Sequence, residues 1–331
     1  MKRITMNNYK KLPPIILLFI ILLSIPVASY ATPSPLISTT DINCKQIIDE
    51  IGQGILFNVQ LEAYLNRTLA KQIREAESKE ETESKPKPTT AEDWYTHYSV
   101  IAHAMGSVDG IDYTNSKEAF NESYKKGYRV FEVDLSFTSD NQVVLWHDWE
   151  EDTGKYVKQS GKKVPSYQFF MNHKICKEYT PLALTDLIDI MEQYPDIYVV
   201  TDSKETDYLS ILRKIVEEAD EDANILNRFI IQFYEYNQYA KIQKIYPFKN
   251  SLFTIYNLQD RNLDHIGSFC KENNVPVVGV PPKYAGRKSD VAKLKEYGVY
   301  VYTYTINKPR NAKFYKQCGI DGIYTDRIMK F

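Results

Sequence analysis

From Trp94 onward, short apolar runs alternate with longer stretches whose apolar residues recur at helical spacing. The runs at 99–103, 129–134, 142–147, 197–202, 228–233, 251–256, 276–280, 299–306 and 320–325 predict strands. The stretches 115–126, 184–193, 205–219, 237–245, 259–272, 287–297 and 308–317 predict helices. Repeated strand-then-helix units imply a parallel sheet with right-handed crossovers. Eight units make a (β/α)8 TIM barrel, which one domain of roughly 250 residues can hold. Nine runs are one too many. Those at 129–134 and 142–147 are joined through Ser139 to Gln142, a turn too short for a parallel crossover. They predict a hairpin, with one strand standing beside the barrel or distorting it. Asn115 to Glu118 reads as a capping box opening the first helix. The stretch 149–183 shows neither period and is expected to cap the site.

Upstream the pattern changes. Lys2, Arg3, Lys10 and Lys11 precede the apolar run Pro14 to Ala28, and Ser29 to Ala31 follow as a cleavage site. The run falls short of the roughly 20 residues of a spanning helix. Residues 1–31 therefore read as a signal peptide, with a retained N-terminal anchor as the alternative. Either exports the protein, to be secreted or held at the cell surface or in the periplasm. Residues 32–93 carry an approximate helical stripe, Ile47 to Leu69, followed by a charged linker over 74–90. The barrel domain is expected over 94–331, behind this helical and linker extension.

Charge and cysteines narrow the partners. The formal net charge of −2 becomes −6 without the four basic residues of the leader, which argues against nucleic acid. Cys44, Cys176, Cys270 and Cys318 form no C-x-x-C pair, so neither a zinc nor a redox motif is indicated. Export permits disulfides, and the sequence does not choose among the pairings.

The chemistry lies where strands end in polar groups, since a buried parallel strand should stay apolar. Glu132 and Asp134 sit two residues apart and project from one face of their strand. Phe131 and Val133 alternate with them, so alternation alone does not say which face is buried, and a solvated edge strand is the bland alternative. If buried, two carboxylates this close need a cation. Asp202, ending another apolar run, adds a third oxygen. Three hard donors without a thiolate suit one divalent cation, Mg²⁺ or Ca²⁺, better than zinc. Lys204 shares the face of Asp202 and is positioned to meet a phosphate oxygen. His103 and His147 each end an apolar run and can divide the proton work, in an order the sequence does not specify. Tyr304 lies nearest the carboxyl end of its strand and is expected to wall the pocket. His97 and His265 are expected at the surface, and His173, in the cap, is a further candidate for substrate contact. The set suits metal-assisted cleavage of a phosphate ester.

These residues fall within an ordered series of motifs. Ile101-Ala-His-Ala-Met-Gly106, Tyr113-Thr-Asn-Ser116, Glu132-Val-Asp134, Val143-Val-Leu-Trp-His-Asp148, Asp202-Ser-Lys204, Tyr304-Thr-Ile-Asn307 and Gly319-Ile-Asp-Gly-Ile-Tyr-Thr-Asp326 follow one another along the chain. Together they resemble the glycerophosphodiester phosphodiesterase family, within the phosphatidylinositol-specific phospholipase C-like superfamily. The resemblance implies an eight-stranded barrel, a divalent metal on Glu132, Asp134 and Asp202, and an acid/base pair in His103 and His147. It implies a small or lipid-derived phosphodiester as substrate, cleaved to glycerol phosphate and an alcohol. An exported enzyme of this kind would meet membrane or cell-wall surfaces. Two departures stand out: Ala104 replaces the family's arginine, and Val108 to Asp112 stand in place of the family's usual sequence between Gly106 and Tyr113. The first keeps a sphingomyelinase D-like lipid phosphodiesterase or lyase in view, with Tyr167 to Met171 as an apolar entrance. A glycosidase using two carboxylates without metal is a second alternative. A surface-binding barrel without turnover is a third.

Overall fold

The structure is a computed structural model describing residues 93–149, 164–203, 205–259 and 261–331. The leader, the helical stripe and the charged linker lie outside the described residues. Nine strands run in chain order: β1 Val100–Ala102, β2 Val130–Phe137, β3 Val143–Leu145, β4 Tyr198–Asp202, β5 Phe229–Phe233, β6 Asn250–Thr254, β7 Val277–Val280, β8 Tyr300–Thr303 and β9 Gly322–Thr325. Eight of them are parallel, in the order β1-β9-β8-β7-β6-β5-β4-β2, and β1 pairs back onto β2 to close a (β/α)8 barrel. The extra strand is β3, antiparallel to β2 and outside the ring. β2 serves both: Val130 to Asp134 pair with β4, and Leu135 to Phe137 continue past the barrel to pair with β3.

Side-chain alternation fills the interior. Ile101, Val130, Val200, Ile230, Leu252 and Val277 pack there with Tyr302 and Tyr324. The short helix Trp94–His97 contributes Trp94, 1% exposed, whose ring centroid lies 5.6 Å from that of Tyr302. Tyr302 has room because its neighbour is Gly322, where a Cβ would stand 2.1 Å from Tyr302 Cε1. Outside, each helix buries an apolar stripe against the strands. Leu184–Gln193 buries Leu184, Leu187, Ile188 and Met191, at the spacing one face requires. Burying one such side chain fully contributes about 1.5–3 kcal/mol.

Two local expectations fail for identifiable reasons. The first helix runs over Lys117–Lys126, and its N-cap is Ser116, whose side chain accepts from the Ala119 N–H. Glu118 does not complete a capping box; its carboxylate takes the backbone N–H and the hydroxyl of Thr180, both at 2.7 Å. The stretch 149–183 does hold a helix, Tyr167–Met171, too short to show a period. Its Phe170 packs against the rings of Trp146 and Trp149, at 5.6 and 5.5 Å, beside the hairpin. Cys176, Cys270 and Cys318 are free thiols, while Cys44 lies outside the described residues.

Candidate active site

The first histidine is aimed by a strained turn. After β1, His103 to Met105 form one 3-10 turn, with Ala104 and Met105 at φ of 46° and 66°. Gly106 follows at φ 90°, and a Cβ there would stand 2.2 Å from Ser123 Oγ, so the position requires glycine on both counts. This geometry turns the Ala104 N–H onto Glu132 Oε2 at 2.7 Å. Ala104 itself is fully buried. His103 Nδ1 lies 2.8 Å from Asp326 Oδ1, just beyond the end of β9. A carboxylate only accepts, so the proton sits on Nδ1 and Nε2 is left to exchange protons. Burial lowers the His103 pKa, but the Asp326 bond and the charges of Glu132, Asp326 and Asp134 outweigh it and raise it to about 9. Asn307 grips Asp326 from behind: its Nδ2 donates to Asp326 Oδ2, and its Oδ1 accepts from the Asp326 N–H and the Thr325 hydroxyl at 2.8 and 3.0 Å.

The carboxylates converge as the sequence suggested. Val130 faces the interior, so Glu132 and Asp134, at even spacing from it, do too. They are 2% and 3% exposed, which excludes the solvated edge strand. Asp202 is the register partner of Asp134 on β4. One oxygen from each of the three lies within 4.8 Å of the others. Burial, then the charge of Asp134, drives the Glu132 pKa well up, and burial and Asp202 raise that of Asp134. Crowded, desolvated carboxylates of this kind are relieved by a divalent cation, and an all-oxygen donor set fits a hard one. Each is also oriented: Glu132 by Ala104, Asp134 by Asn115 Nδ2 at 2.8 Å, and Asp202 by the hydroxyl of Tyr234. Tyr234 accepts in turn from Gln232, which accepts from Tyr324, each at 2.8 Å. Burial and the charge of Asp202 push the Tyr234 phenol far above its ordinary pKa, so it stays a donor.

His147 arrives by a different route from His103. It follows β3, the antiparallel arm, and not a barrel strand. The return pairs Leu145 with Leu135 and brings the Trp146 N–H to Asp134 O at 3.0 Å, which sets His147 back at the mouth. The two imidazoles flank one ring: Tyr113 lies 4.6 Å from His103 and 4.9 Å from His147, edge-on to both. Opposite, Tyr304 follows β8 and packs between Tyr256 and Tyr324, at 6.4 and 6.0 Å. Among the described residues its buried hydroxyl has no hydrogen-bond partner, as suits a wall that meets a ligand. Lys204 lies outside the described residues. His97 and His265 are exposed. His173 is exposed as well, stacked on Phe169 at 3.9 Å, away from the carboxylates in every contact it makes here.

Sequence reasoning assigned no role to Asp326, Asn307, Asn115 or Tyr113. Asp326 and Asn307 were detectable as polar residues closing apolar runs, the signal that found His103. Asn115 was read as a cap, and Tyr113 was noted only as the first residue of the Tyr113-Thr-Asn-Ser116 motif.

The comparisons with known proteins agree with the barrel. A family model described as the glycerophosphoryl diester phosphodiesterase family matches residues 108–330, a span that begins just after His103. A glycerophosphodiester phosphodiesterase from Parabacteroides distasonis superposes with a TM-score of 0.54 at 17% identity, covering 69% of this chain and 92% of that one. An Oleispira antarctica phosphodiesterase, solved in complex with the product sn-glycerol-3-phosphate, gives 0.56 at 14% identity over 71% and 96%. The Thermotoga maritima glycerophosphodiester phosphodiesterase gives 0.51 at 16% over 70% and 95%. At these identities the structures speak for the barrel alone. The family model covers most of the chain, including Glu132, Asp134, His147 and Asp202, and with it the chain is placed among the phosphodiesterases of the glycerophosphoryl diester phosphodiesterase family.

Proposed function

We propose that the chain hydrolyses glycerophosphodiesters to glycerol phosphate and an alcohol, with His103 and His147 moving the protons. The observation that carries this is the convergence of Glu132, Asp134 and Asp202 within 4.8 Å beside two histidines that share the Tyr113 ring. Those three carboxylates would hold Mg²⁺ or Ca²⁺, which when bound polarises a phosphoryl oxygen and neutralises the charge developing on it. Asp326 fixes the His103 tautomer, so Nε2 is the atom that takes or gives a proton. His147, across the Tyr113 ring, does the opposite on the other side of the phosphate. Lys204 adds positive charge at a phosphate oxygen. Tyr304 offers its unpaired hydroxyl to the bound alcohol. Attack comes from water or from a neighbouring substrate hydroxyl, and the latter gains from proximity and yields a cyclic phosphate first. The leader read over residues 1–31 supports action outside the cytoplasm.

Phosphorus NMR of the full chain with a panel of glycerophosphodiesters tests the reading. A phosphomonoester or cyclic phosphate should form, stop with EDTA and resume when Mg²⁺ or Ca²⁺ is restored. His103→Ala and His147→Ala should each abolish it while leaving the far-ultraviolet circular dichroism unchanged. Turnover insensitive to chelation, or full activity in either variant, would sink the proposal.

A further inference from the structure

One face beside the mouth carries charge that the reaction does not use. Residues 281–289, following β7, and 304–320, following β8, contain no Asp or Glu, in a chain with 43 acidic residues. The first segment presents Lys283, Arg287 and Lys288, all exposed. The second presents Lys308, Arg310 and Lys313, also exposed, while Lys316 lies over the Phe331 ring at 5.5 Å, toward the other end of the barrel. Each segment leaves the carboxyl end of its strand, the end where the catalytic groups gather. They touch: a Cβ at Gly286 would lie 3.5 Å from the Phe314 ring. Asp290 offsets part of this charge through Arg287, at 3.5 Å.

An apolar ring stands in the middle of the cations. Helix Pro309–Gln317 turns Ala312 inward and half-buries Tyr315 against the barrel, so Arg310, Lys313 and Phe314 share the outward face. Phe314 is 50% exposed, more than the other large apolar side chains left in water among the described residues. A soluble polyanion would use the charges and leave that ring in water. An anionic bilayer takes both, because its headgroups attract Lys and Arg while its interface accepts an aromatic ring. Among the described residues no helix is long and apolar enough to cross a membrane, so the contact is with the surface. We propose that this face, centred on Phe314 with Arg310 and Lys313, docks the catalytic domain onto a negatively charged lipid surface, beside the mouth.

A fluorescent reporter placed in the patch tests this. The native tryptophans, Trp94, Trp146 and Trp149, are buried at 1%, 2% and 8% exposure, so the Phe314→Trp variant reports from the patch itself. Full-length F314W is titrated with vesicles of phosphatidylcholine alone, and of phosphatidylcholine mixed with phosphatidylglycerol. The leader, whose Lys2, Arg3, Lys10 and Lys11 also favour anionic lipid, is common to every sample, so only the change caused by the patch substitutions isolates the patch. The emission should move to the blue with the anionic vesicles only, and return with salt. Adding Arg310→Gln and Lys313→Gln should raise the lipid needed roughly thirtyfold, with turnover of a soluble phosphodiester unchanged. No shift, or the same shift with both lipids, overturns the proposal. An equal shift with soluble polyphosphate also overturns it, by identifying a polyanion site instead.

Discussion

Replacing Asp326 with asparagine separates the position of His103 from the mere presence of its ring. Asn307 cannot rotate to accommodate the change, because its Oδ1 is already committed to the Asp326 N–H and the Thr325 hydroxyl. Its Nδ2 therefore still points at residue 326. An asparagine there has one oxygen and one amino group. If the oxygen keeps His103 Nδ1, the amino group meets Asn307 Nδ2, donor against donor. If the amide flips, an N–H faces Nδ1, and the His103 proton must move to Nε2, the atom that should face substrate. The first arrangement leaves a buried donor unmet, at about 1–3 kcal/mol of stability. The second removes one partner's proton transfer, on the order of 10²–10⁴ in kcat. Asp326→Asn should thus lose turnover in that range with a smaller change in KM, followed through glycerol phosphate release. Exchanging the pair, Asp326→Asn with Asn307→Asp, restores a donor–acceptor match at every contact and leaves an oxygen for Nδ1. The exchange should recover most of the stability and part of kcat. If Asp326→Asn turns over like the wild type, or if the exchanged pair is no better than the single variant, the positioning argument fails.

The remaining expectations concern the cation, pH and packing. Asn115→Ala removes the amide that orients Asp134 and should weaken Mg²⁺ or Ca²⁺ binding about 10–100-fold by titration calorimetry; unchanged affinity would count against the carboxylate centre. In chelated protein, His103, raised to about 9 from 6.5, stabilises the fold fully below pH 6.5, and that contribution, ~3 kcal/mol, is lost as the pH climbs to about 9. The upward shifts of Glu132 and Asp134 act in the same direction, so metal-free protein should melt lower as pH rises, and added cation should raise the Tm most at the alkaline end. A Tm that climbs with pH in EDTA would contradict this. Gly322→Ala forces a Cβ to within 2.1 Å of the Tyr302 ring and should destabilise by about 1–3 kcal/mol in urea, with Tyr302→Leu in the same chain returning part of it.

How much was legible depended on whether the signal was local. Strands and helices were readable because burial imposes a period on neighbouring residues, as in Leu184–Gln193, which matches its predicted limits. The carboxylates were readable because Glu132, Asp134 and Asp202 interrupt apolar runs where a parallel strand should stay apolar. His147 was picked out by that rule although its strand is antiparallel, since the rule detects a polar strand end and is blind to direction. Asn115 was misread because Asn-x-x-Glu and an asparagine serving a carboxylate look alike in one dimension. Only the placement of β2 beside the turn decides between them, and Ser116 takes the cap once Asn115 is engaged elsewhere. Lys204 rests on its sequence position alone.

The bond between His103 and Asp326 spans 223 residues of chain. Contacts of such separation form late, because the intervening loop must be closed before they repay its entropy. Here the closing strand, β9, also delivers the group that aligns the first histidine. A chain still being synthesised would possess β1, β2 and β4 and hence all three carboxylates, yet no aligned His103. If His103 moves a proton as proposed, competence is tied to completion: the last strand must dock before that histidine is aligned.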